Sequence, residues 1–208
     1  MSNISENPEK QRTRGSAAWI PFASYLTTGQ FAGLRGGFVQ HCGPTAAANL
    51  IRTLGRRLCL SLYTDPAEND DALFLMCADV GRRMGIYWNR RVFGRFGGTS
   101  NFLTGIFLRR CLNKAGLHGK VKVRFHPWIT PDAVAEAVDR EAVVYLEVMF
   151  HPKYKNHHMI CYSYRYCDED TQKDAGRLFL LADGWTPGTV WIDEKELGRG
   201  HFLTVQMS

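Results

Sequence analysis

No stretch of this 208-residue chain approaches the ~18 consecutive apolar residues that a membrane-spanning helix needs, so no membrane partner is expected. The opening MSNISENPEKQRTRGS is polar throughout and lacks the apolar core of a secretory signal, which predicts a cytoplasmic protein with a flexible tail over residues 1–16. No two of the six cysteines stand in a C-x-x-C pair, which leaves a structural zinc site without its usual ligands. Without a secretory signal, six cysteines in a chain of this length point to buried thiols or chemistry instead of a disulfide frame. Internal repeats and low-complexity blocks are absent too, which excludes solenoid and array architectures.

What is present is a globular composition, 45% hydrophobic, with 26 Lys and Arg against 20 Asp and Glu and a net charge of +6. The basic doublets Arg56-Arg57, Arg82-Arg83, Arg90-Arg91 and Arg109-Arg110 are scattered, and no nucleic-acid motif accompanies them. They read as solvated helix faces and ends, so no nucleic-acid partner is expected.

The chain changes character near residue 120. PTAAANLIRTL places Ala47, Leu50, Ile51 and Leu54 at i, i+3, i+4, i+7, the stripe of a one-sided helix closed by Gly55. AENDDALFLMCADVGRRMG and SNFLTGIFLRRCLNKAG repeat the helical pattern, each ending in a basic residue and glycine. Later, TPDAVAEAVDR predicts a short helix with Thr130 as N-cap and Pro131 in its first turn. VKVRF, AVVYLEVMF, HHMICYSYRY, RLFLLADGW, GTVWID and HFLTVQM are short runs rich in β-branched and aromatic residues, which predict an antiparallel sheet. The fold class is therefore α+β: one domain over 17–208, with a helical lobe over about 17–120 and a sheet lobe over about 121–208.

Cys42 stands directly before Gly43-Pro44, at the mouth of the first long helix. The helix dipole and its unpaired N–H groups would stabilise a thiolate there and lower the thiol pKa. A small buried thiol that packs like alanine is the plain alternative, and it is the reading for Cys59, Cys77 and Cys111. A thiolate nucleophile needs a base, and the base an orienting group. His157 opens an apolar strand, where an imidazole can sit at the rim of a cleft. Asp183 closes another strand, and Trp185 follows two positions on, where it could shield a His157–Asp183 bond from water.

CGPTAAANLI, NHHMICYSY and LADGW together resemble the papain-like cysteine peptidases, and among them the bacterial branch akin to the double-glycine peptidases that process bacteriocin leaders. The resemblance runs from about Gly36 to Trp185. It implies a papain-like fold, a helical lobe packed on an antiparallel sheet lobe, and a Cys42, His157, Asp183 triad acting on peptide or protein substrates without a cofactor or metal. In the family the catalytic His precedes a Tyr by seven positions; counted back from Tyr164, that His is His157 and not His158. His158 then falls on the other strand face as a packed or hydrogen-bonded core residue, and His151 in a loop before Pro152. A metal site from His151, His157, His158 and Cys161 would match no known ligand spacing.

The family usually supplies an oxyanion-binding Gln six positions before the nucleophile, where this chain has Gly36. Gln40 is the nearest side-chain amide and, with the Cys42 N–H, a candidate oxyanion hole; a helix-capping loop residue is the other use for it. Gly94–Gly98, GRFGG, reads either as a cleft-edge loop or as an ordinary turn. Two other functions compete with the peptidase: another Cys-dependent amidase or acyltransferase of the same superfamily, and an inactive binding protein on the same scaffold.

Overall fold

The computed structural model describes residues 25–31, 40–60, 66–92, 96–167 and 176–208. The tail over 1–16, position 36 and residues 94–95 of the GRFGG stretch lie outside them. In chain order the elements are α1 (Thr28–Phe31), α2 (Cys42–Arg57), α3 (Pro66–Arg83), β1 (Tyr87–Val92), β2 (Phe96–Thr99), α4 (Thr104–Lys114) and β3 (Val121–His126). There follow α5 (Pro131–Asp139), β4 (Val143–His151), β5 (Lys155–Tyr166), β6 (Arg177–Ala182), β7 (Val190–Asp193) and β8 (Arg199–Met207). The protein is α+β.

Six strands form one antiparallel sheet in the order β3-β8-β4-β5-β6-β7. Alternation along the central strands assigns side chains to its two faces. Val143 and Tyr145 of β4, Ile160 and Tyr162 of β5 and Leu203 and Val205 of β8 pack with α2, α3 and α4. Val144, Leu146, Met159, Cys161 and Phe202 face the other way, toward α5. A register shift in β5 between Cys161 and Ser163 moves Tyr164 onto the α5 face as well.

Helix α2 departs from the one-sided helix expected. Every residue from Gly43 to Gly55 is buried, because α3 covers one side and the sheet the other. Its polar members are satisfied inside: the Asn49 amide brackets the Leu26 main chain at 2.9 and 3.0 Å, the Thr53 hydroxyl donates to Asn49 O at 2.8 Å, and Arg52 lies 3.6 Å from Asp70. Gly55 does not end the helix, which runs two residues further. The end is made instead by Cys59, at φ 51, whose N–H returns to Arg56 O. Cys59 is accordingly exposed, not packed, whereas Cys77 and Cys111 are buried in α3 and α4.

The first half also holds structure that helical periodicity does not predict: β1 and β2 form a separate two-stranded antiparallel ladder. Residues Phe96–Gly98 of the GRFGG stretch belong to β2, so this part is neither loop nor turn. Among the described residues no helix is long and apolar enough to cross a membrane.

Candidate active site

Cys42 is the first residue of α2, and its N-cap, His41, makes no side-chain capping bond. The helix mouth is therefore open to the sulfur. Three main-chain N–H groups, those of His158, Gly43 and Cys42 itself, are directed at the thiol and favour its anion. Burial outweighs them, with the negative charge of Glu147 acting in the same direction, and the thiol is pushed up to about 11. This overturns the expectation of a lowered pKa: the dipole and donors are present, but the packed surroundings penalise the charge more.

The approach to His158 follows from the sheet edge. The last β5–β6 pairs are Cys161 with Leu181 and Ile160 with Ala182, after which β6 turns away. The His158 N–H beyond that point is met by the sulfur. Cys42 thus meets β5 at the peptide that joins His157 to His158.

His157, buried at 4% exposure, donates from Nε2 to the Asp183 main-chain carbonyl at 2.6 Å. A carbonyl can only accept, so Nε2 carries the hydrogen and Nδ1 keeps the basic lone pair. Burial depresses the ring's pKa; the Asp183 carbonyl and charge oppose this, and His151 adds to it. The imidazole stacks on Tyr154 with centroids 5.6 Å apart and an interplanar angle of 9°, and the Trp185 ring lies 5.0 Å away on a tilt. Trp185 itself is 46% exposed.

The Asp183 carboxylate does not bond the imidazole. Its Oδ1 accepts from Trp185 N at 2.9 Å, Thr186 N at 3.1 Å and the Thr186 hydroxyl at 3.2 Å, and its Oδ2 from the Tyr154 hydroxyl at 3.4 Å. A short side chain at a strand end is well placed to cap the following turn, and this capping leaves only the main-chain oxygen for His157. The capped turn is held from outside by Thr28, whose N–H and hydroxyl both donate to Gly184 O at 2.7 and 3.2 Å. It also packs against α2, since a Gly184 side chain would start 3.7 Å from the Thr45 methyl.

Gln40 is exposed with φ 49, and Gly98 lies against it, with a Cβ there falling 3.6 to 3.7 Å from the Gln40 side chain. Gln40 directly precedes His41, the N-cap of α2.

His158 faces the helices, fully enclosed. Its Nδ1 lies 3.3 Å from the Tyr145 hydroxyl, which in turn donates to Gly43 O at 3.2 Å, so the ring braces the first turn of α2 from below. Burial lowers its pKa to about 3, aided by His157 and His201. His151 is a correction: it is the last residue of β4, buried, with Nε2 donating to Glu196 O at 2.7 Å and Nδ1 accepting the N–H groups of Lys153 and Tyr154 at 3.1 Å. It anchors the β4–β5 turn where a loop residue was expected. Among the described residues no group of three or more His, Cys, Asp or Glu is arranged to hold a metal ion.

Sequence reasoning missed the buried carboxylate behind the thiol. Glu147, wholly inaccessible, places Oε2 2.9 Å from the Thr104 hydroxyl, 3.0 Å from His201 Nε2 and 3.8 Å from His158 Nδ1, while Oε1 has no hydrogen-bond partner among the described residues. Its contact raises the pKa of His201, while burial raises that of Glu147 itself. A lone Glu in the apolar run VVYLEVMF was the signal. No protein-family model matches this chain, and neither does any curated protein or solved structure.

Proposed function

We propose that this protein is a papain-like cysteine peptidase that cleaves peptide bonds through a Cys42 thioester. The observation that supports the reading is that Cys42, at the α2 mouth, meets β5 at the His158 N–H, one residue from His157, and that His157 in turn bonds the Asp183 carbonyl beside Trp185, although no hydrogen bond joins the sulfur to the His157 ring.

In the reaction, the Cys42 sulfur attacks the substrate carbonyl carbon as its proton passes to His157 Nδ1. The tetrahedral oxyanion is held by the Cys42 N–H and the Gln40 amide. Collapse breaks the C–N bond, His157 returns the proton to the leaving amine, and a thioester remains. Water, deprotonated by His157, then releases the acid and restores the thiol. Because thiol and imidazole both favour their neutral forms, proton transfer accompanies attack and no standing ion pair precedes it.

The test is hydrolysis of a casein-derived peptide pool, with intact-mass detection of the acyl-enzyme. Cys42→Ala and His157→Ala are expected to abolish both signals. Cleavage that survives Cys42→Ala sinks the reading, and activity on muropeptides but not on casein peptides moves the protein to the amidases. One observation favours a second reading, a binding protein on the same scaffold: a thiol held at about 11 is scarcely ionised near neutral pH. Peptide binding without turnover in the unmodified protein would establish that reading.

A further inference from the structure

A cavity of about 540 Å³ opens beside the turn from β4 to β5, within the size range of ligand pockets. Met149, Phe150, Pro152 and Leu197 give it an apolar wall, and Lys195 and Arg199 give it charge. Three features mark it as more than a surface dent.

The first is Phe150. A register shift in β4 between Val148 and His151 turns this residue to φ 54, where its N–H is held by the Asn156 side chain at 3.0 Å, and its ring is 87% exposed. A bulky aromatic in the left-handed region is unfavourable, as is leaving it in water, and such features gather where a ligand is gripped. The second is charge. The cavity's one carboxylate, Glu194, is taken by Arg177 at 2.7 Å, and Arg177 takes the nearby Asp132 as well at 2.7 Å. Among the described residues no carboxylate lies within ion-pair distance of Lys195 or Arg199. Lys195 and Arg199 therefore stand beside an apolar wall with no ion-pair partner among the described residues.

The third is position. Val148, one residue before Met149, pairs across the ladder with His157. The His151 ring on the cavity wall lies 5.0 Å from the Tyr154 ring, which stacks on His157. The cavity is thus two rings away from the proposed base.

We propose that this cavity is a peptide subsite that takes an aromatic or branched apolar side chain adjacent to a carboxylate. Its role in cleavage rests on the peptidase reading; its binding does not. Phe150 and the proline and leucine wall cover the apolar group, and Lys195 and Arg199 meet the acid.

The experiment uses the full chain carrying Cys42→Ala and the capped peptide acetyl-Gly-Phe-Asp-Gly-amide, with its Asn analogue as control, followed by amide NMR shifts. The acidic peptide is expected to shift residues 149–152 and 195–199, and to bind about tenfold more tightly than the Asn analogue at low salt. The Lys195→Glu/Arg199→Glu pair removes that preference. Phe150→Gly weakens binding while raising the thermal midpoint, because the left-handed strain is relieved. Equal affinity for the two peptides, or shifts confined elsewhere, overturns the subsite. Absence of any cleavage by the unmodified protein, with this binding intact, sinks the peptidase reading alone; cleavage without binding here sinks the subsite alone.

Discussion

His157 and Asp183 are joined at 2.6 Å through the main chain: the imidazole Nε2 meets the carbonyl oxygen while the carboxylate caps the turn behind it. The carbonyl fixes the tautomer whatever side chain residue 183 carries. Where a carboxylate orients the base, its change to an amide costs about 10⁴ in turnover, through loss of the correct tautomer. Here Asp183→Asn retains an acceptor for Trp185 N and Thr186 N and is expected to reduce kcat less than about tenfold. Asp183→Ala removes the cap and is expected to lower stability by about 1 kcal/mol, read from urea midpoints. A loss near 10⁴ for the amide would show that the carboxylate swings onto His157 during turnover.

The protonation states predict the pH profile. The pKa of His157 lies below its ordinary value because burial disfavours the cation, so the unprotonated ring persists at neutral pH and is lost only once pH has fallen past the ordinary histidine range. The Cys42 thiol ionises only at about 11. The expected kcat/KM profile has an acid limb displaced below the ordinary histidine range and no alkaline fall through the neutral range. Iodoacetamide labelling of Cys42 should rise with a midpoint near 11, and at pH 7 it should be slower than labelling of exposed Cys59. A labelling midpoint below 6 would reveal a standing thiolate–imidazolium pair and overturn the concerted step.

Much of the architecture was legible in the sequence because its signals are local. The strands β3 to β8 announced themselves through β-branched and aromatic runs, and Thr130 caps α5 as its position before Pro131 predicts, accepting from Ala133 N at 3.2 Å. The β1–β2 ladder was not legible, since YWNRRV carries charge where strand alternation would put apolar residues. Burial of α2 on all sides was hidden too: Asn49, Arg52 and Thr53 look like a solvent face until Leu26 and Asp70 arrive to satisfy them. Cys42, His157, Asp183 and Trp185 could be nominated by motif, but which Asp183 oxygen serves the imidazole is decided by a turn that no spacing records.

His158 gives a stability prediction with a definite sign. Its folded-state pKa is lowered to about 3 by burial, so below 6.5 the unfolded chain binds a proton that the folded one refuses. This contribution is complete above about 6.5 and is lost progressively as pH falls toward 3, at up to about 1.4 kcal/mol per pH unit. His158→Asn has no titrating ring, so its urea midpoint should decline less over that window than that of the parent protein. The other buried histidines remain in both proteins, and the difference between the two curves isolates residue 158. Parallel curves would mean that the ring protonates readily and that Tyr145 and Thr99 do not enclose it.

Gly43 lies beside the sulfur, with its N–H directed at the thiol. A Cβ at this position would fall 2.2 Å from Thr99 Oγ1 and 2.7 Å from the Thr99 Cβ and Cγ2 atoms. These atoms sit at the root of a β-branched side chain, so no distal rotation clears the space; either β2 or the α2 mouth must move. Gly43→Ala is expected to cost about 1–3 kcal/mol, the usual penalty of overpacking. It should also displace the Gly43 N–H that points at the thiol, so activity falls with stability. Thr99→Ala removes the Oγ1 and Cγ2 atoms, leaving only the Cβ in the way, together with a buried hydroxyl that has no hydrogen-bond partner among the described residues, so alone it should be nearly neutral. The double variant should then recover part of the lost stability, a coupling that a thermodynamic cycle reads directly. Strict additivity of the two changes would show that β2 does not pack over the α2 mouth, and the packing around Cys42 would have to be redrawn.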